Sequence, residues 1–316
     1  MLNLLRRGAP GFELQTPTPD WRLPDDAVWL DLLNLTREEE LAVETALAVE
    51  LPTVEEMAAL EPSSRLYQED GATFMTATLL SHVDVNPKGT PVTFVLARGI
   101  LVTLRYDELR AFTVFDERAP AARLASGTSA LLGLLDAVVE RLAEVLEAQG
   151  ESVQTASASI FNRPASGGFG PLLSQLARAQ SITSMTRTSL VSLARMLSFA
   201  ALAQEIAADP ECKAHLKSLQ RDAQSLTEHA SFGSSHISFL LDAALGLINI
   251  EQNGIIKIFS VMAVIFMPPT LVASIYGMNF HHMPELSWPF GYPVALGLML
   301  LSAVLPVMWF RKRGWF

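Results

Sequence analysis

Two uncharged apolar runs in the last fifth of the chain constrain its fold more than any other feature. Residues 258–276 and 290–310, 19 and 21 residues long, contain no Asp, Glu, Lys or Arg. At about 1.5 Å per residue, each is long enough as a helix to cross the roughly 30 Å hydrocarbon core of a bilayer. One such run would fit the core of a soluble domain. Two in tandem, the second followed directly by Arg311, Lys312 and Arg313, predict a pair of transmembrane helices. The expected membrane domain is 253–316: a first span over about 255–276, an outer loop over 277–289, a second span over about 290–310 and a basic tail over 311–316.

Flanking charge orients the spans. The loop between them holds Glu285, His281 and His282 but no Lys or Arg, whereas Lys257 and the basic tail lie at the opposite ends. The positive-inside rule then puts both termini in the cytoplasm and the spans in the cytoplasmic (inner) membrane. The first ten residues are not a secretory signal, because their apolar stretch is short and its charges follow it. The single cysteine, Cys212, excludes an intramolecular disulfide and any multi-cysteine metal site, which suits a reducing compartment.

Formal charge is −10, and because 257–316 is net basic, residues 1–256 carry −13. Phosphate backbones are held by clustered Lys and Arg, so nucleic acid is excluded as a partner. An acidic excess attracts cations instead.

The expected cytoplasmic portion, 1–252, divides in two. Over about 1–119 the pattern is mixed α/β. Residues 1–25 are Pro-rich and expected to be irregular, 27–33 reads as a buried strand, and Thr36 is placed to cap an acidic helix reaching about Glu50. The segments 72–80, 92–97, 100–105 and 112–115 are short and rich in Thr, Val and Phe, hence strand-like, with a hairpin turn at Arg98 and Gly99. Over about 120–252 helical periodicity takes over: one helix over 121–159, a breaker at 163–171, a second over about 172–208, and a third from near Glu211. That third helix runs without proline to Pro268 and, if continuous, enters the membrane as the first span. A helix on the order of 95 Å long needs packing partners along its face, so identical subunits are implied.

Few residues announce chemistry. The Gly-rich breaker lacks the Gly-Lys-Ser/Thr ending of a phosphate loop and follows a helix. His215, His229 and His236 do not form a zinc-binding spacing and are expected to be solvated or packed. The acidic pairs Glu55–Glu56, Asp107–Glu108 and Asp116–Glu117 are expected to be solvated surface. No catalytic set is visible, so the chain is not expected to be an enzyme or to need an organic cofactor. On the first span, however, Asn253, Ile256, Phe259 or Ser260, Ala263, Met267 and Thr270 recur every three or four residues and share one face. An ordinary helix–helix seam has that pattern; so does a pore face, apolar in the middle with polar rungs at Asn253 and Thr270. Gly277 is expected to take a left-handed turn there, freeing the Asn279 amide to face an incoming ion.

The motif Tyr276-Gly277-Met278-Asn279-Phe280, followed by Met283-Pro284-Glu285-Leu286, resembles the signature of the CorA family of magnesium and cobalt transport proteins. The similarity extends to 248–253, to 255–261 and 268–274 in the first span, and to 61–66 and 69–72 in the N-terminal domain. It implies a homopentameric funnel with an axial pore lined by five copies of the first span. Gly277, Met278 and Asn279 would form the selectivity filter at the ion's point of arrival, and Asn253 and Thr270 the polar rungs. Ile256, Phe259 and Met267 would form the hydrophobic gate. Neutral amide and carbonyl oxygens suit Mg²⁺, which gives up its water shell reluctantly. The resemblance further implies passage of Co²⁺ and Ni²⁺ and closure by intracellular Mg²⁺. Here the sequence departs from the family pattern. His281 and His282 stand where an acidic residue often follows, leaving Glu285 as the loop's cation-attracting charge, and Asp222 is the one regulatory-metal candidate, out of register. The alternatives are a zinc transporter of the same superfamily and a non-conducting, membrane-anchored cation sensor.

Overall fold

The computed structural model describes residues 1–9, 11–16, 21–59, 61–122, 124–161, 168–279, 281 and 283–314. The chain forms two compact units, Met1–Leu241 and Asp242–Phe316.

Among the described residues, the first unit is built on a seven-stranded sheet. Its strands are β1 (Leu2–Arg6), β2 (Glu13–Gln15), β3 (Ala27–Leu33), β4 (Leu66–Glu69), β5 (Ala72–Ser81), β6 (Lys88–Ala97) and β7 (Ile100–Arg105), in the spatial order β2-β1-β3-β7-β6-β5-β4. Only β3 and β7 pair in parallel, Trp29 opposite Leu101; every other pairing is antiparallel. The hairpin between β6 and β7 turns at Arg98 (φ 54°) and Gly99 (φ 78°), two consecutive left-handed residues whose twist matches the strands they join.

Side-chain alternation splits the sheet's apolar residues between two cores. Met75, Ala77, Val92, Phe94, Leu96 and Leu101 face one, while Phe74, Val95, Ala97, Val102 and Leu104 face the other. The second core is covered by α1 (Arg37–Leu47) and α2 (Val54–Ala58) through Val43, Leu47 and Met57. Thr36 caps α1 as expected: its hydroxyl accepts from the Glu39 N–H, and the Glu39 carboxylate accepts from the Thr36 N–H at 3.0 Å. The single turn α3 (Pro62–Arg65) leads into β4.

The first core is covered by α4 (Arg110–Arg118), α5 (Gly127–Phe161), α6 (Gly170–Ala200), α7 (Gln204–Ala208) and the first part of α8 (Pro210–Tyr276). Gly127 is needed where α5 starts, because a Cβ there would lie 2.2 Å from the Leu101 backbone nitrogen. α8 is continuous over 67 residues. Inside the first unit it packs through Leu216, Leu219, Ala223 and Ala230, and Gln220 Nε2 donates to the Leu197 carbonyl at 3.0 Å.

Several expectations are corrected. Residues 1–25 are not wholly irregular: Leu2, Leu4 and Leu5 are buried and β1 pairs with β3, so tertiary burial overrides the local Pro-rich signal. Residues 17–20 lie outside the described residues, as do 163–167 of the expected breaker. The segment 112–115 is helix, not strand; in α4, Phe112 and Phe115 stand three residues apart and both pack against Trp29. The first long helix begins at Gly127, and the second is interrupted between α6 and α7.

The second unit comprises the end of α8, a 3-10 turn over Pro284–Ser287 and α9 (Gly291–Lys312). Two helices of the described chain, α8 and α9, are long and apolar enough to cross a membrane.

Candidate functional site

The exposed face of α8 in the second unit carries the candidate residues. Asn253, Ile256, Phe259, Ser260, Ala263, Met267 and Thr270 all lie on this one helix, and all are exposed in the single chain. Ile256, Phe259 and Met267 are 53%, 71% and 68% exposed, values that are untenable for so many large apolar side chains in water. Opposite faces fare no better, because Ile258, Met262, Phe266 and Leu271 are exposed as well. The helix is apolar all round, as a membrane span is.

Backbone chemistry marks the same stretch. Pro268 and Pro269 have no N–H, so the carbonyls of Val264 and Ile265 lose their donors four residues on. The Thr270 hydroxyl donates to the Phe266 carbonyl at 2.7 Å, so this polar rung is tied back to its own helix. Asn253 and Asn279 make no side-chain hydrogen bond among the described residues.

The helix closes differently from the expectation. Gly277 does not take a positive φ. Its N–H donates to the Ala273 carbonyl at 2.9 Å, and the Met278 N–H to the Ile275 carbonyl at 3.3 Å, so the last turn tightens instead of unwinding to the left. A Cβ on Gly277 would stand 3.1 Å from the Ala273 carbonyl oxygen, a tight contact that a shift of a few tenths of an ångström relieves. Met278 and Asn279 then leave the helix exposed. Phe280 and His282 of the motif lie outside the described residues, while His281 and Glu285 are exposed.

The loop returns through the 3-10 turn, closed by Ser287, whose hydroxyl donates to the Pro284 carbonyl at 2.8 Å. Gly291 starts α9 so close to this turn that a Cβ would lie 2.2 Å from the Glu285 carbonyl oxygen. Trp288, Phe290 and Tyr292 gather at this end of α9; Trp309 and Phe310 lie at the other, with the Arg313 guanidinium 5.0 Å over the Trp309 ring. Amphipathic rings at both ends of an apolar helix are the pattern of interfacial anchors. Trp288 and Trp309 were the legible signal for them in the sequence.

The first unit holds the polar groups. Arg105 and Asp31 form a buried two-pronged ion pair, Nη2 to Oδ2 at 2.7 Å and Nε to Oδ1 at 3.0 Å. Thr103 donates to Asp31 at 2.7 Å and accepts from Trp29 Nε1 at 3.0 Å, and Arg105 also stacks 4.7 Å from the Phe112 ring centroid. Two of the acidic residues expected at the surface are only partly exposed. Asp107 binds Lys88 at 2.7 Å and His82 at 2.8 Å. Burial works to raise this carboxyl, but hydrogen bonds from Lys88, His82 and Thr90 outweigh it and hold it well below the ordinary carboxylate range. Asp116 is pushed up to about 7, by burial first and by the Asp31 charge second, and its Oδ1 is buried without a hydrogen-bond partner. His215 pairs with Asp136 at 2.7 Å, and His236 stacks on Phe232. Asp222 is exposed on α8, and no group of three or more metal-ligating side chains occurs among the described residues.

Comparison with known proteins accounts for both units together. The family described as CorA-like Mg2+ transporter protein matches residues 24–312. "Magnesium transport protein CorA" of Pasteurella multocida is 37% identical over 294 residues, covering 92% of this chain and 92% of that protein. The protein of the same name from Escherichia coli is 35% identical over 293 residues, again covering 92% of each. The complete structure of the CorA magnesium transporter from Methanocaldococcus jannaschii superposes with a TM-score of 0.79 over 100% of this chain and 99% of that one, at 16% identity, a likeness of fold. With an α/β unit, long helices, two apolar C-terminal helices and a family match across nearly all of it, the chain belongs to the CorA-like Mg2+ transporter protein family.

Proposed function

We propose that this chain moves Mg²⁺ into the cell through a pore built from identical copies of α8. One observation carries the reading: an α8 face that is apolar and wholly exposed in the single chain ends in Gly277, Met278 and Asn279. Proteins 35–37% identical over nearly the whole chain bear the name magnesium transport protein. A single chain cannot enclose a pore with one helix; copies around an axis can, and we take the number to be five.

In that arrangement residues 253–316 form the membrane domain of the cytoplasmic membrane, lipid covers the outer faces of α8 and α9, and both termini are cytoplasmic. Asn279 rings the outer mouth beside Gly277 and Met278. Its neutral amides hold a Mg²⁺ ion through its water shell, which avoids both dehydration and a grip too tight for release. Glu285 attracts cations to that mouth. Ile256, Phe259 and Met267 form an apolar constriction that closes by dewetting, with Asn253 and Thr270 as the polar rungs on either side. Co²⁺ and Ni²⁺ pass by the same route. Mg²⁺ is the cargo, and no organic cofactor is needed.

Intracellular Mg²⁺ also gates the pore in this reading. At −13 per copy over residues 1–256, five copies gather about 65 negative charges around one axis. Divalent ions bridging subunit boundaries favour a closed symmetric ring, with Asp222 as the named candidate. Intact Gly-Met-Asn and Met-Pro-Glu-Leu favour magnesium over the zinc branch of the superfamily. The test is Asn279→Ala, reconstituted in liposomes. Mg²⁺ uptake is expected to be abolished with the oligomer intact, and uptake at the wild-type level would refute the assignment.

A further inference from the structure

The first unit, acidic overall, carries a cleft lined by arginines and hydroxyls. About 440 Å³ in volume, it lies between strands β4 and β5 and helix α6 and is lined by Arg65, Arg187 and Arg195 together with Thr76, Thr78, Thr188 and Ser192. No carboxylate lines it, although residues 1–256 carry −13. None of the three arginines makes an ion pair among the described residues.

The arginines converge by construction. Thr188, Ser192 and Arg195 stand at i, i+4 and i+7 of α6, with Arg187 beside Thr188, so they line the solvent-facing flank of α6 next to its buried stripe (Thr186, Leu190, Leu193, Leu197), with both arginines exposed. That flank is pinned where the Thr78 N–H donates to Ser192 Oγ at 2.9 Å. Arg65, at the end of α3, reaches in from the other side and donates from Nη2 to Thr78 Oγ1 at 2.7 Å. Its Nε is buried and has no partner. The Arg65 guanidinium is held below the ordinary arginine value, by burial first and by the neighbouring Arg195 charge second. A half-buried cation facing a like charge, with a donor left unpaired, is an unfavourable arrangement on its own. An anion with several oxygens reverses each of these costs, because planar guanidinium forks match phosphate oxygens two at a time.

We propose that this cleft is a binding site for a phosphoryl group, carried either by free inorganic phosphate or by a small phosphomonoester. The volume falls in the range of small-molecule sites and exceeds what phosphate alone fills. The Thr78 hydroxyl accepts from Arg65 and keeps its own proton to donate beside the guanidinium forks, whereas the Thr188 hydroxyl donates to the Ser184 carbonyl at 3.0 Å. The site lies wholly within the first unit and does not depend on the proposed pore.

Isothermal titration of the full-length protein in detergent, free of Mg²⁺ and at low salt, tests it with two probes, inorganic phosphate and AMP. At least one probe is expected to bind wild type with one site per chain and to weaken about tenfold or more in Arg187→Gln/Arg195→Gln. Arg65→Lys, which keeps the charge but loses the fork, is expected to weaken it too. Tighter binding of AMP identifies a phosphomonoester as the ligand class; equal binding identifies free phosphate. No binding of either probe to wild type would overturn the proposal, as would unchanged affinity in the double variant. So would a double variant whose oligomer falls apart while wild type ignores both probes, because the arginines would then be seats for a neighbouring copy's carboxylates.

Discussion

The two units differ in where their interactions end. In the first, large apolar side chains are buried on both faces of the sheet, and Trp29, Phe74, Phe94 and Phe112 are almost wholly enclosed. There Arg105 is answered by Asp31 and Asp107 by Lys88 and His82, while Arg65 Nε and Asp116 Oδ1 are left without partners. In the second, the large side chains of α8 and α9 point outward at nearly every turn. One unit encloses its large apolar side chains within its own chain; the other leaves them exposed, as the proposed membrane-embedded oligomer requires. Substitutions should therefore act on stability in the first unit and on flux in the second.

The largest expected effect is at the buried ion pair. Asp31→Ala leaves the Arg105 guanidinium without its partner in the core, which should destabilise the first unit by about 3–5 kcal/mol. Thermal unfolding of the full-length protein reads this as a markedly lowered midpoint. A loss under about 1 kcal/mol would show that Arg105 reaches water and that the unit is less closed than its burial implies.

Met267→Ala is the counterpart in the second unit. The side chain is 68% exposed in the single chain, so little intrachain packing is lost, and the unfolding midpoint should hardly move. Basal Mg²⁺ leak should rise several-fold if Met267 narrows the pore. Unchanged flux from an assembled protein would put the gate elsewhere and remove the contrast between the units.

Asp116 sharpens the comparison through pH. Its carboxyl is raised to about 7 in the folded chain from an ordinary value of 3.8, so between those values the folded state binds the extra proton. Its contribution is therefore full below about pH 4 and is lost as pH rises through 7. Asp116→Asn should unfold at a higher temperature than wild type at pH 8, with the difference vanishing near pH 4. A pH-independent difference would mean that the carboxyl titrates normally. The smallest effect is expected from Thr36→Ala, which removes the α1 cap for about 1 kcal/mol. Circular dichroism melts resolve it, and no loss at all would mean that the Glu39 half of the box suffices.

Legibility in the sequence followed the reach of the forces involved. The strand at 27–33, the hairpin at Arg98 and Gly99, the Thr36 cap and the two apolar helices are all decided within a few residues, and each was legible. β1 was not, because Leu2, Leu4 and Leu5 gain their burial from β3, more than twenty residues on. Phe112 and Phe115 suit strand or helix equally; Trp29 decides for helix. Asp116 looks like half of a surface pair until the ion pair beneath it is built. At Gly277 the glycine was legible but its conformation was not: it does not take a left-handed turn, and a Cβ would only sit tightly against the Ala273 carbonyl. The arginine cleft draws on residues 65, 76–78 and 187–195, a convergence that no local pattern announces.

The most direct measurement of the central claim is Mg²⁺ influx into liposomes holding the purified wild-type protein and an encapsulated Mg²⁺ indicator. Wild-type protein is expected to admit Mg²⁺ at a saturable rate well above empty liposomes, and faster than Zn²⁺ under the same gradient. An assembled, membrane-inserted protein that admits no more Mg²⁺ than empty liposomes would contradict the account, because the exposed face of α8 would then be packing surface and not the wall of a pore.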